Sequence, residues 1–268
     1  MKIGIIHYNF PDHSMSEFLR VVKDIGYEYV EIACRDIWDE KNPNDAPERN
    51  AKNLRKEMDE VGLKTSAFSA GNDFVLLDEG VIAQQIERMK RVCRLAKILG
   101  TNVIRTEGGR PKPEVPEEKW ADAIADCLKR CVDFIEKEDF YLAVDNHGLV
   151  TNNAELQVEI FEKVGSKHVG ANLDTMNYRW AGHDLETVGR FYEIIAPYVF
   201  HTHLKDGIGC QKEYQGRALG EGEIDLKKAI ECLKKAGYDG VYCVEYERKD
   251  EDRVLGAKKC IEWLRANL

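Results

Sequence analysis

Four acidic or imidazole side chains follow short apolar runs, and their types suit a divalent metal ion. They are Asp145, Asp174, His203 and Glu245, at the ends of YLAVD, VGANLD, VFHTH and VYCVE. The first two intervals are both 29 residues, which matches one strand, one helix and two loops of a parallel barrel. Three carboxylates and one imidazole favour manganese, magnesium or cobalt, and zinc also accepts such ligands. The sequence therefore predicts one divalent ion held by all four residues.

The third interval is 42 residues because a polar, glycine-rich segment lies between His203 and Glu245. Residues 206–224 contain five glycines and charges of both signs. This composition predicts an enlarged loop above the strand ends, acting as a mobile cover that excludes water.

Eight apolar, β-branched runs could position these residues as strands. They are KIGIIH, YVEIA, KTSAFS, NVIRT, YLAVDN, VGANLD, VFHTHL and VYCVEY. Helical periodicity separates the runs, at 15–26, 46–62, 78–99, 116–138, 152–164, 183–196, 225–236 and 250–267. Strict alternation of strands and helices predicts a parallel α/β fold, here a (β/α)8 TIM barrel. With no linker or low-complexity segment, residues 1–268 are expected to form a single domain.

Boundary signals agree with this alternation. Ser14 and Glu17 match a capping box, and Pro116 is typical of a helix start. Four glycines stand where predicted helices should end: Gly26, Gly62, Gly100 and Gly237. Such glycines adopt the left-handed conformation that terminates helices.

Alternation along the strands should direct several charged groups to the same side as the metal ligands. His201, His203 and Lys205 share one face of their strand, and Cys243, Glu245 and Glu247 share one face of theirs. We expect His201 to support Asp174 by a hydrogen bond rather than to bind the ion.

Composition excludes several classes of function. The formal net charge of −9 opposes nucleic-acid binding. No apolar run is long enough for a signal peptide or a membrane span, so a cytoplasmic protein is expected. The eight cysteines form no CxxC pair and are interpreted as reduced packing residues. The composition leaves open whether the chain forms a homo-oligomer.

Several motifs resemble those of a known superfamily. The strings LAVDNHG, NLDTMN, HTHLKD, GEGEID and GYDGVYCVEYE are similar to the sugar phosphate isomerase/epimerase superfamily, the xylose isomerase-like TIM barrels. AFSAGNDF and VIRTEGG extend the resemblance to the first half of the chain. In the ketose 3-epimerases and inosose-processing members, one divalent ion is held at the ends of strands five to eight. The resemblance maps those ligands to Asp145, Asp174, His203 and Glu245.

The sequence also departs from this pattern. The first ligand is usually glutamate, and Asp145 is shorter by one methylene, about 1.5 Å. Thr151, Asn177 and Gly209 replace the glutamate, histidine and arginine by which free-ketose epimerases resemble one another. The endonuclease IV-like branch has an Asp-x-His motif where residues 206–208 read Asp-Gly-Ile. Together with the acidic charge, this difference argues against DNA cleavage at abasic sites.

We interpret the chain as a metal-dependent isomerase or epimerase of a small sugar or polyhydroxy carbonyl compound, acting through an enediolate. Glu245 would abstract a proton, and Asp145 would return one from the other face. The candidate substrate contacts are His7, Asn72, Arg105, His147, Asn177, Lys205 and Arg217. An internal ion pair is an equally good interpretation of Arg105. Two alternatives stay open: a lyase or dehydratase on the same scaffold, and a metal- and sugar-binding barrel without catalysis.

Overall fold

Eight parallel strands close into a barrel in the computed structural model, which describes residues 1–268. Neighbouring strands follow chain order around the barrel, and the last strand pairs with the first. The barrel strands are β1 (Ile3–Ile6), β2 (Tyr29–Ala33), β3 (Lys64–Ser69), β4 (Val103–Glu107), β5 (Tyr141–Asp145), β6 (Val169–Asp174), β7 (Val199–Leu204) and β10 (Tyr242–Val244). The predicted (β/α)8 barrel is therefore confirmed.

Helices follow the strands and form the outer layer. They are α1 (Met15–Ile25), α2 (Pro47–Val61), α3 (Glu79–Leu99), α4 (Trp120–Lys137), α5 (Ala154–Val164), α6 (Asn177–Ala181), α7 (Leu185–Ile195), α8 (Leu226–Lys235) and α9 (Arg253–Asn267). The capping box of Ser14 and Glu17 is present at the start of α1. Gly26 ends that helix in the left-handed conformation, with φ of 105°. No helix is both long enough and apolar enough to cross a bilayer.

The apolar core lies between the barrel and the helices. Helix α1 shows how the sequence builds it, because Phe18, Leu19, Val22 and Ile25 recur at helical spacing and are all buried. Burial of each such side chain stabilises the fold by about 1.5–3 kcal/mol. All eight cysteines are free, as the sequence predicted for reduced packing residues.

The glycine-rich segment 206–224 contains more structure than the sequence predicted. Strands β8 (Asp206–Ile208) and β9 (Gln215–Arg217) form an antiparallel hairpin. The buried Asp206 carboxylate accepts backbone N–H bonds from Gly207, Gly220, Gly222 and Ile224, at 2.8–3.3 Å. One buried carboxylate therefore joins both ends of the segment, and the enlarged loop predicted from the sequence contains a hairpin in its first part.

Candidate functional site

Three of the four predicted metal ligands converge at the carboxyl ends of β6, β7 and β10. The strand register places Asp174 beside His203, and His203 beside Cys243, two residues before Glu245. One ligand atom each from Asp174, His203 and Glu245 lies within 4.8 Å of the other two. His203 Nδ1 is 2.8 Å from Glu245 Oε2. The three side chains surround a volume that could hold one ion.

The Asp174 carboxylate has one oxygen free for such an ion. Its Oδ1 accepts hydrogen bonds from the backbone N–H groups of Met176 and Asn177, at 2.8 and 2.9 Å. Its buried Oδ2 accepts no hydrogen bond, and its nearest cation is the Lys205 ammonium at 3.5 Å. Burial raises the pKa of Asp174 to about 7, and the nearby Glu245 charge adds to the effect while Lys205 opposes it. A divalent cation would stabilise this carboxylate, so the donor set fits a metal.

Glu31 on β2 orients His203 from behind and was not identified from the sequence. Its Oε2 is 2.6 Å from His203 Nε2, and both side chains are fully buried. Burial lowers the pKa of His203, but the charges of Glu31 and Glu245 outweigh it and raise that pKa well above its usual range. A carboxylate in this position fixes the ring and leaves Nδ1 directed at the candidate ion. The available signal was an acidic residue inside the apolar strand YVEIA.

Lys205 lies among the carboxylates next to this group. Its ammonium is 3.3 Å from Glu245 Oε1, 2.8 Å from Glu247 Oε2 and 3.3 Å from Asn177 Oδ1. Burial raises the pKa of Glu245, but Lys205 and His203 outweigh it and hold that pKa well below its usual range. Glu245 is therefore an ionised carboxylate that can act as a ligand or as a base.

Asp145 does not join the ligand group, which differs from the sequence prediction. Arg105 on β4 makes an ion pair with its Oδ2, and Asn172 donates a 2.6 Å hydrogen bond to its Oδ1. Burial raises the pKa of Asp145, but the Arg105 charge outweighs it and lowers that pKa. The short side chain and a cation on the neighbouring strand together explain this pairing. The sequence left open whether Arg105 contacts the substrate or forms an internal ion pair, and in the structure it forms the ion pair.

A second layer lies deeper in the barrel and contains His201. Its Nδ1 is 2.8 Å from Asn172 Oδ1, so its partner is Asn172 and not Asp174 as predicted. Burial lowers the pKa of His201 to about 4, and the ring is neutral near pH 7. Ligand atoms of His201, Glu31 and Cys243 also lie within 4.8 Å of one another.

Two clefts open at the mouth of the barrel. The first, here the Glu245 cleft, is lined by Glu245 and Arg105. The second, here the Arg217 cleft, has a volume of about 620 Å³ and contains the predicted contacts Asn177, Lys205 and Arg217. Three residues line both clefts and separate them: Tyr8, His147 and Glu247. His147 Nδ1 is 3.6 Å from Asp145 Oδ2, and the ring is about half exposed.

Two predicted substrate contacts lie outside both clefts. His7 Nδ1 is 3.0 Å from Asp36 Oδ1. Asn72 is buried and donates to Gln85, and its Oδ1 accepts a 2.8 Å bond from Arg88. Both residues therefore have structural partners. Tyr8, which follows His7, reaches the mouth instead.

Known proteins share this architecture over almost the whole chain. The chain is 24% identical over 265 residues to the L-ribulose-5-phosphate 3-epimerase UlaE of Shigella flexneri, covering 94% of this chain and 89% of that enzyme. The IolI protein with a bound zinc atom superposes with a TM-score of 0.80 at 20% identity, covering 99% of this chain and 97% of that chain. D-psicose 3-epimerase from Clostridium cellulolyticum H10, solved with D-tagatose, gives a TM-score of 0.80 at 14% identity, covering 100% of this chain and 99% of that chain.

These likenesses confirm the resemblance found in the sequence motifs. At the level of the family, the curated relatives and the family model support the expectation of a sugar isomerase or epimerase. A family model described as a xylose isomerase-like TIM barrel matches residues 19–267. Because that match spans nearly all of the barrel and its helices, the chain belongs to the family of xylose isomerase-like TIM barrels.

Proposed function

We propose that the protein is a metal-dependent isomerase or epimerase of a small sugar or polyhydroxy carbonyl compound. The position of Glu245 carries this proposal. Its carboxylate belongs to the candidate ligand group and also lines an open cleft. A base beside a metal site and within reach of a substrate is what proton transfer next to a carbonyl group requires.

Asp174, His203 and Glu245 would hold one divalent ion, with Glu31 fixing the His203 ring. When bound, such an ion supplies a Lewis acid that polarises the substrate carbonyl group. Oxygen-rich ligation favours manganese, magnesium or cobalt. Zinc is a further option, because the structurally similar IolI protein contains a zinc atom.

Glu245 would take the proton from the carbon next to the carbonyl group and leave an enediolate. Its low pKa keeps it ionised before the reaction. Lys205 is 3.3 Å from Glu245 and can donate a hydrogen bond to an oxygen that gains negative charge. Arg105 lines the same cleft and can orient substrate hydroxyl groups.

Epimerisation also needs a group that returns a proton from the opposite face. The sequence assigned this role to Asp145, but both oxygens of that carboxylate have partners in the structure. We favour His147, which lines both clefts and has Asp145 Oδ2 at 3.6 Å from its Nδ1. Asp145 would then orient the ring and stabilise its protonated form, as carboxylates do for catalytic histidines.

The Asp145–Arg105 ion pair also favours a second candidate, a barrel that binds metal and sugar without catalysis. Proton exchange distinguishes the two. The metal-loaded protein is incubated in deuterated water with ketoses, ketose phosphates, inososes and keto acids, and NMR follows each carbon. Deuterium incorporation with an inverted stereocentre or a moved carbonyl supports the proposal. Loss of water identifies a lyase, and absence of exchange with every compound would leave the binding barrel.

Two variants locate the chemistry within the site. Glu245→Gln should abolish exchange even where bound metal is detected, because the loss is confined to proton transfer. His147→Gln should allow exchange at the substrate carbon but suppress inversion. Glu138→Gln is the matched control, since Glu138 is an exposed carboxylate paired with Lys97 on the outer helices. Its activity should equal that of the unmodified protein.

A further inference from the structure

The two clefts differ in electrostatic character. The side chains lining the Glu245 cleft include five cations and five anions. Those lining the Arg217 cleft include five cations but only two anions, Glu247 and Asp250. The five cations are Lys205, Arg217, Arg248, Lys249 and Arg253. This positive excess occurs in a chain whose net charge is −9, so general composition does not explain it.

Three of these cations have no carboxylate partner. The Arg217 guanidinium donates only to neutral oxygens, the Gly216 carbonyl at 2.9 Å and Gln215 Oε1 at 2.8 Å. Arg253 donates to the Tyr246 carbonyl at 3.3 Å, and Lys249 makes neither an ion pair nor a hydrogen bond. The three groups can therefore donate to an incoming anion without breaking an existing ion pair.

The fold holds these cations together through a close backbone contact. A Cβ added at Gly216 would lie 2.7 Å from the backbone carbon of Glu247 and 2.8 Å from the nitrogen of Arg248. Only glycine permits this approach of β9 to the segment after β10. Arg217, which follows Gly216, is thereby held against the segment that carries Lys249 and Arg253.

Lys205 connects the Arg217 cleft to the proposed reaction centre. Its ammonium contacts Glu245 and Glu247 and also lines the Arg217 cleft. A ligand reacting at Glu245 can extend past Glu247 towards the three unpaired cations. A volume of about 620 Å³ falls in the range of sites for small organic ligands.

We propose that the Arg217 cleft binds an anionic group, phosphate or carboxylate, carried by the sugar substrate. The inference rests on the proposed function, because it takes the same molecule to react at Glu245. Arginine guanidinium groups match both anions with paired N–H donors, and Lys249 adds a compact positive charge. The substrate is accordingly an acidic sugar derivative rather than a neutral ketose.

Calorimetric titration of the metal-loaded protein tests this assignment. The probes are L-ribulose 5-phosphate, L-ribulose, 5-keto-D-gluconate and inorganic phosphate. At least one anionic probe should bind at least about tenfold more tightly than L-ribulose, and the preference should weaken as salt is added. Arg217→Ala and Arg253→Ala should each reduce that affinity by about tenfold and leave the affinity for L-ribulose unchanged.

A matched control variant distinguishes binding in the Arg217 cleft from the general effect of removing a positive charge. Lys167→Ala removes an exposed, unpaired lysine just before β6, at the opposite end of the barrel, and should change no affinity. Metal content checks that each variant is folded. Preference for the ketose phosphate and for inorganic phosphate assigns the cleft to phosphate, and preference for the keto acid assigns it to a carboxylate.

Equal affinity for charged and neutral probes, or anion binding that survives both arginine variants, would overturn the assignment. Failure of the proposed function gives a different pattern. In that case the anions still bind through Arg217 and Arg253, but deuterium exchange is absent for every probe. The two conclusions can therefore fail separately.

Discussion

The mouth of the barrel has two halves that use the same residue types differently. In the converging half, formed by β6, β7 and β10, Asp174, His203 and Glu245 face one another and a buried carboxylate oxygen of Asp174 has no hydrogen-bond partner. In the paired half, formed by β4 and β5, Arg105 neutralises Asp145. The difference lies in how the nearest cation is shared: Arg105 hydrogen-bonds Asp145 directly, whereas Lys205 is divided among Asp174, Glu245 and Glu247.

This comparison shows that a carboxylate at a strand end is not by itself a metal ligand. A buried carboxylate needs a positive partner, which can be an arginine or an ion. Asp145 has its partner within the protein. Asp174 shares a single lysine with two glutamates, and burial, which that lysine only partly offsets, raises its pKa to about 7.

Removal of a ligand in the converging half should have the largest effect. Asp174→Asn and His203→Ala should each lower metal affinity by more than about 100-fold, beyond the loss caused by removing an outer partner of a ligand. Equilibrium dialysis with manganese, cobalt and zinc measures this affinity. His168→Ala is the control, because His168 precedes β6 at the other end of the barrel and hydrogen-bonds the Phe140 carbonyl. Full metal content in both ligand variants would show that the ion is bound elsewhere.

Breaking the ion pair of the paired half should mainly affect stability. Arg105→Met leaves the Asp145 carboxylate buried and unpaired, which should lower the free energy of unfolding by about 3–5 kcal/mol. Addition of Asp145→Asn to this variant removes the stranded charge and should restore most of the loss. Urea denaturation of the metal-free proteins gives the four free energies of a double-mutant cycle. If the two single changes are additive, the pair is not coupled and the description of this half is wrong.

Much of the fold was predictable because it depends on local patterns. The apolar runs and helical periodicities gave all eight barrel strands and their helices to within a few residues. The sequence did not predict α6 or the β8–β9 hairpin. The hairpin depends on Asp206, whose carboxylate accepts bonds from residues up to 18 positions away. A glycine-rich composition alone does not indicate such a long-range contact.

The site was less predictable because its geometry depends on pairs distant in sequence. Asp174, His203 and Glu245 were found from their shared position at strand ends. Glu31 was missed because it contacts His203 across 172 residues, from a strand on another side of the barrel. The Asp145–Arg105 pair spans 40 residues. Because β4 and β5 are neighbours, the sequence could have shown that Arg105 and Asp145 lie close together. It could not have shown whether Asp145 pairs with the arginine or with a metal ion.

Glu31 offers a test of how the converging half is organised. Glu31→Gln keeps the shape of the side chain but removes the charge that orients His203, so metal affinity should fall by about 10- to 100-fold. The thermal midpoint of the metal-free variant shows whether the protein remains folded. Glu31→Asp retains the charge with a shorter reach and should have an intermediate affinity. If Glu31→Gln binds metal as tightly as the unmodified protein, the Glu31–His203 contact does not serve the ion.

Asp145 should give the smallest effect on metal binding and the clearest separation of the two halves. Since Arg105 and Asn172 occupy its oxygens, Asp145→Asn should change metal affinity by less than about tenfold in the folded protein. The same variant should suppress inversion of a substrate, because His147 loses the carboxylate 3.6 Å from its Nδ1.

A role of Asp145 as fourth ligand, which the sequence predicted, requires instead a loss of metal affinity as large as that of Asp174→Asn. Parallel metal titrations of Asp145→Asn, Asp145→Glu and Asp174→Asn decide between these outcomes. Tighter metal binding by Asp145→Glu would indicate that the longer side chain reaches the ion. Asp145 would then be one methylene too short to act as a ligand.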